Sequence, residues 1–143
     1  MRAIPMKGRL TTHVLDVACA CPAAGLAVEL FRIMEDGRKQ SAARAVTGAD
    51  GRLERPLLAG EAMRSGFYEI VFFPGDYYRG KGGALAEAVF FDRVSVSLRI
   101  ADPEEDLHIP LLIAPGGYSV YRGKGIENGR GPFVAPSVVG IGF

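Results

Sequence analysis

The feature that most constrains the fold is the two-residue alternation of Val94-Ser95-Val96-Ser97-Leu98-Arg99-Ile100. Period two places the apolar residues on one face of an extended strand and the serines and arginine on the other. Val28-Glu29-Leu30-Phe31-Arg32-Ile33 alternates in part. Nineteen glycines and nine prolines cut the rest of the chain into short runs, most of them strand-favouring. Strands are expected near 9–16, 26–34, 41–47, 53–57, 66–73, 91–100, 106–113 and 117–122. Such a series predicts an all-β, two-sheet β-sandwich of about eight strands.

Asp36-Gly37 and Asp50-Gly51 supply turn chemistry, and Ala114-Pro115-Gly116-Gly117 separates the last two strands. One segment, 76–88, breaks the rhythm. Ala84-Leu85-Ala86-Glu87-Ala88 favours helix, and Gly80, Gly82 and Gly83 limit it to one short helix of a turn or two. No internal repeat or linker divides the chain. Residues 1–123 read as one sandwich domain and 124–143 as a Gly/Pro-rich C-terminal extension, in which Gly125, Gly129, Gly131, Pro132 and Pro136 oppose a regular helix.

A chain of 143 residues buries a sizeable core in one domain. Its 17 basic and 16 acidic residues leave a formal charge of +1, no footprint for a nucleic-acid backbone or an anionic membrane. No apolar run approaches the roughly 18 residues of a membrane span. Residues 1–9 lack the apolar stretch of a secretory signal, so a cytoplasmic location is expected. Cys19 and Cys21 flank a single alanine, too tight for an easy disulfide and without a second pair for zinc. They are expected as loop thiols, and no metal or cofactor is expected.

The chain has two histidines, His13 and His108, each inside an apolar strand-like run. A titratable ring in such a place needs a partner or has a task. Alternation puts Thr11, His13 and Leu15 on one face of the first strand and His108, Pro110 and Leu112 on one face of the seventh. In the eighth, Ser119 and Tyr121 oppose Tyr118 and Val120. If the more apolar sets face the core, His13, His108, Ser119 and Tyr121 line one outer surface, which can meet another subunit. Arg52, after Asp50-Gly51, and Arg122 complete the candidate set.

Taken singly, each of these residues has an ordinary structural explanation: a satisfied strand histidine, a solvated turn arginine, a packed tyrosine beside a surface ion pair. Their co-occurrence on one sheet face is what argues for a site. Other motifs fail. Gly75 to Lys81 has phosphate-loop spacing, but Gly82 stands where Ser or Thr is required. The acidic run 102–106 surrounds a proline and reads as a solvated turn. No G-x-S-x-G elbow supports acyl-serine chemistry.

Several segments resemble the transthyretin-like family, in its 5-hydroxyisourate hydrolase branch. They are Leu10-Thr11-Thr12-His13-Val14-Leu15-Asp16, Pro22-Ala23-Ala24-Gly25-Leu26, Ala49-Asp50-Gly51-Arg52, Gly66-Phe67-Tyr68-Glu69-Ile70, and Phe90-Phe91 leading into Val94-Ser95-Val96. Leu107-His108-Ile109-Pro110-Leu111-Leu112 and Tyr118-Ser119-Val120-Tyr121-Arg122-Gly123 complete the set. The resemblance implies a transthyretin-like sandwich, a homotetramer, and hydrolysis of the cyclic amide of 5-hydroxyisourate in urate (purine) degradation. It implies His13, Arg52 and His108 as catalytic residues and Tyr121 and Arg122, with Gly123, as the strand that closes the site. Tyr121 and Arg122, and Ser119 from the sorting of faces, are expected as substrate-binding residues. His13 and His108 would position and deprotonate water, Arg52 would bind the planar substrate oxygens, and Arg122 with Tyr121 would stabilise an oxyanion. Which histidine is the base stays open. The family's terminal serine is Lys124 here, and the chain continues to Phe143. That departure motivates a second reading, a non-catalytic ligand-binding or assembly protein on the same scaffold.

Overall fold

Burial follows the alternation of the strands. In β1 (Arg9–Asp16) Leu10, Thr12, Val14 and Asp16 turn inward, while Thr11, His13 and Leu15 are only half-buried. The computed structural model describes residues 8–123; the expected extension 124–143 and Lys124 lie outside the described residues. Along the chain follow β2 (Cys21–Pro22), β3 (Ala27–Ile33), β4 (Lys39–Val46), β5 (Leu58–Ala59), β6 (Gly66–Phe72), β7 (Val94–Ile100), β8 (Leu107–Ala114) and β9 (Gly117–Val120). One sheet runs β2-β1-β8-β9, with β5 also on β1, and the other runs β4-β3-β6-β7. The inward faces meet in one core that includes Leu10, Val14, Leu30, Ile70, Phe72, Leu111 and Ile113. Full burial of each such side chain contributes about 1.5–3 kcal/mol. The all-β sandwich expected from the alternation is therefore present.

Two expectations about elements are corrected. The strand expected at 53–57 does not form, and only the two-residue β5 pairs with β1 near there. Pro56 has no N–H for a ladder, and Leu53, Glu54, Arg55 and Pro56 line a cavity. The single helix expected within 76–88 is instead two, α1 (Pro74–Lys81) and α2 (Gly83–Glu87), separated at Gly82 with φ +74°. Proline at the first helical position suits an α-helix start. α1 is then clamped to the end of β1, because Tyr77 and Tyr78 donate hydrogen bonds to the buried Asp16 carboxylate at 2.8 and 2.6 Å. Helix propensity did not reveal that anchor.

Cys19 and Cys21 also differ from expectation: they are joined in a disulfide. Ala20 between them has φ +56°, which folds the chain back so that the two Cα atoms lie 5.4 Å apart, inside the normal range. The β1–β2 reversal, with Asp16 opposite Cys21, imposes that turn.

β1 organises everything near the candidate residues. One edge pairs in parallel with β8, from Leu10 opposite Leu107 to Asp16 opposite Ile113. Its other edge is patched by three pieces: β5 at Arg9 and Leu10, Arg52 opposite His13, and β2 at Leu15 and Asp16. Arg52 reaches His13 through this discontinuous edge.

Candidate active site

The β1–β8 register sets Thr11 beside His108 and His13 beside Pro110, all on the face turned away from the core. β9 extends that surface, with Ser119 opposite Leu112. The pairing continues beyond β9: Tyr121 N–H reaches the Pro110 carbonyl at 3.4 Å, and Gly123 N–H reaches that of His108 at 2.8 Å. His13, His108, Ser119 and Tyr121 thus occur on one outer surface, as the alternation implied.

Beside this surface lies a cavity of about 450 Å³ whose lining includes Thr11, Arg52, Arg55, Leu107 and His108. It opens where the chain leaves β1 between Arg52 and β5. His13 borders Arg52 through the strand bridge but is not part of the lining. Its Nε2 donates to the carbonyl of Asp50 at 2.9 Å, an assignment that follows because a carbonyl only accepts. The Asp50 side chain in turn accepts the Arg52 N–H at 2.9 Å. The turn that carries Arg52 is therefore tied to the histidine it faces.

Gly51 makes this contact possible. Its φ is +79°, and a Cβ there would collide with the Val14 carbonyl and crowd the His13 ring and Pro22. On the far side, the ring nitrogen Nδ1 of His108 lies 2.8 Å from the Thr11 hydroxyl.

Both imidazoles titrate below the ordinary histidine range. Burial is the larger cause for each, since it disfavours the charged ring, and the Arg52 guanidinium lowers both further. His13 adds a smaller repulsion on His108. Near pH 7 both rings are therefore neutral, the form in which an imidazole accepts a proton. Burial also pushes the Tyr121 hydroxyl upward, so it stays protonated and able to donate.

Of the six residues expected at the site, the structure brings His13, Arg52 and His108 together, with His108 and Arg52 lining the cavity. Ser119 and Tyr121 share the outer surface without lining it. Arg122 turns elsewhere, its guanidinium exposed and 3.2 Å from Glu105. Thr11 and Arg55 were missed as site residues. Thr11 was legible on the His13 face, but its contact with His108 depends on a pairing no local pattern announces. The sulfurs of Cys19 and Cys21 and an Asp16 oxygen lie within 4.8 Å of one another. With the sulfurs bonded together and the Asp16 oxygens already accepting from two tyrosines, that group does not suit a metal.

Residues 10–123 match the model of the HIUase/Transthyretin family. The chain is 48% identical over 119 residues to the 5-hydroxyisourate hydrolase of Halalkalibacterium halodurans, covering 83% of this chain and 100% of that protein. It is 48% identical over 123 residues to the 5-hydroxyisourate hydrolase of Pseudomonas aeruginosa, covering 86% and 96%. The structure of Klebsiella pneumoniae 5-hydroxyisourate hydrolase superposes with a TM-score of 0.68 at 33% identity, covering 82% of this chain and 99% of that one.

Proposed function

The chain belongs to the HIUase/transthyretin family, and from that premise we propose that His13, Arg52 and His108 carry out hydrolysis of the cyclic amide of 5-hydroxyisourate. The activity is that of its relatives at 48% identity across nearly their whole length. The observation that supports the residue assignment is the convergence of two neutral imidazoles and one guanidinium beside a cavity of about 450 Å³. A neutral imidazole takes a proton from water as the water oxygen bonds to the amide carbonyl carbon. The ring C–N bond then breaks, the nitrogen receives that proton, and the carbonyl carbon ends as a carboxylic acid that releases the second water proton to solvent as it becomes a carboxylate. Arg52 presents fixed N–H donors to the substrate's planar oxygens, which carry more negative charge as the addition proceeds.

Ser119 and Tyr121 are assigned to substrate binding on the adjoining outer surface. Arg122, whose guanidinium turns to Glu105 in the protomer, would join them by exchanging that ion pair for the substrate. That surface is open in a single protomer. A homotetramer in which a second copy covers it would enclose the substrate and exclude water. Sedimentation should give four times the 15.3 kDa chain mass; a fully active monomer would overturn the enclosure. Among the described residues, no helix is long and apolar enough to cross a membrane. A cytoplasmic location is part of the same reading, and fractionation of expressing cells tests it. A periplasmic pool would contradict it; the Cys19–Cys21 disulfide, a kind of bond that persists mainly in oxidising compartments, is the observation that weighs on that side.

The deciding experiment follows the ultraviolet absorbance of 5-hydroxyisourate, generated in place from urate, with full-length protein. Decay well above the spontaneous rate is expected, with loss of at least about 100-fold in His108→Asn. Wild-type turnover in His13→Asn and His108→Asn would sink the assignment. The family match ends at residue 123, and we assign 124–143 as an extension outside the catalytic domain. The non-catalytic binding reading supposes that the residues after Lys124 fill or cover the cleft. Turnover that is absent in the full-length protein and rises when the chain ends near Lys124 would favour it.

A further inference from the structure

We propose that Thr11 is a positioning residue that decides which ring nitrogen of His108 carries the proton, and thereby makes His108 the base. This rests on the reading of His108 as a working group. The parallel register of β1 and β8 sets Thr11 beside His108, with Thr11 Oγ1 2.8 Å from Nδ1. The same hydroxyl lies 3.4 Å from the carbonyl of Leu107. With the hydroxyl hydrogen directed to the Leu107 carbonyl, which can only accept, the Thr11 oxygen accepts the Nδ1–H of His108. The reverse arrangement, a hydroxyl donating to a bare Nδ1, puts the ring proton on Nε2 and is the outcome that would overturn the proposal. Nε2 is then the bare nitrogen, the one free to take a proton.

His13 is committed in the opposite sense. Its Nε2 proton is held by the Asp50 carbonyl at 2.9 Å, and its ring is outside the cavity lining. His108 is the histidine that lines the cavity. The division of labour follows: His13 ties the Arg52 turn to β1, and His108 Nε2 deprotonates the attacking water. That proton passes to the amide nitrogen as the C–N bond breaks, which returns His108 to its starting tautomer. Thr11 lines the cavity, and its part in the reaction is exerted through the His108 ring. It keeps the wrong tautomer, with the proton on Nε2, from forming.

The test is long-range proton–nitrogen NMR on the full-length, nitrogen-15-labelled protein above the histidine titration range. The chain has two histidines, so His13→Asn assigns both rings. His108 is expected to carry its proton on Nδ1. Thr11→Val, which keeps a β-branched strand residue, is expected to move that proton toward Nε2. It should also lower kcat about 10- to 100-fold, the size of loss known for removing the hydrogen-bond partner that orients a metal-bound histidine, with KM changed less than about threefold. Thr11→Ser should restore both. A proton on Nε2 of His108 in the wild type overturns the proposal whatever Thr11→Val does to folding, as does unchanged kcat in a folded Thr11→Val. Failure of the underlying reading is distinguishable, since His108→Asn would then keep wild-type turnover whichever tautomer the wild type shows.

Discussion

His13 and His108 are kept neutral first by burial and then by the guanidinium of Arg52. The acid limb of kcat/KM reports the base in the free enzyme. It should therefore lie below the ordinary histidine value of about 6.5. Removing the guanidinium removes one of the lowering causes, so the residual activity of Arg52→Gln should show its acid limb shifted upward. A limb that stays put would mean that the arginine does not act on the base. Asp16 makes a separate, structural case. Its fully buried carboxylate accepts from Tyr77, Tyr78 and the Ala18 N–H at 2.8, 2.6 and 2.9 Å. Asp16→Ala leaves these donors unpaired and should cost about 3 kcal/mol in urea unfolding. A loss under about 1 kcal/mol would show that water replaces the carboxylate.

At the scale of elements, the site depends on a strand with one broken edge. β1 is continuous with β8 on one side and patched by β5, Arg52 and β2 on the other. The gap between the Arg52 bridge and β5 is the cavity wall, so the failure of 53–57 to form a strand is what makes room for a substrate. Gly51 lets this turn approach β1. Gly51→Ala must escape both a positive φ and the Val14 carbonyl. It is expected to lower stability by about 2 kcal/mol and to lower kcat by displacing Arg52. Gly48→Ala in the same loop meets only ordinary contacts, with Arg52 O at 3.6 Å, and should be nearly neutral. Equal behaviour of the two variants in thermal unfolding and turnover would contradict this account.

For the whole molecule, the depressed histidines link folding to pH. Unfolded, each imidazole titrates near about 6.5; folded, each titrates lower. Between those values the unfolded chain binds more protons, so stability is complete above about pH 6.5 and falls as pH drops through the folded values. Both rings are partly solvated, so the slope should be shallow. Urea midpoints measured across that window should fall with pH in the wild type and change less in the His13→Asn, His108→Asn double variant. A midpoint that rises on acidification would reverse the sign.

Much of this fold was legible from local pattern. Alternation places side chains on faces one strand at a time, so 94–100 announced β7, and His13, His108, Ser119 and Tyr121 could be assigned to an outer surface before any pairing was known. The order of the resembling segments supplied the family and, with it, the catalytic role expected of Arg52. Only the tertiary structure decided which residues become neighbours. Thr11 and His108 meet across 97 positions because β1 and β8 run parallel in one register. Tyr77 and Tyr78 meet Asp16 for a similar reason, and Cys19 meets Cys21 because the β1–β2 reversal forces Ala20 to positive φ. The sequence by itself determined the longer strands, their faces and the chemical groups at hand, because those follow from period and residue type within a few positions. The strand expected at 53–57 and the short β2 and β5 were settled by pairing along β1. The cavity, the tautomer-setting contact and the direction taken by Arg122 were decided by lateral strand pairing, which depends on the lowest free energy of the whole chain and leaves no mark at any single position.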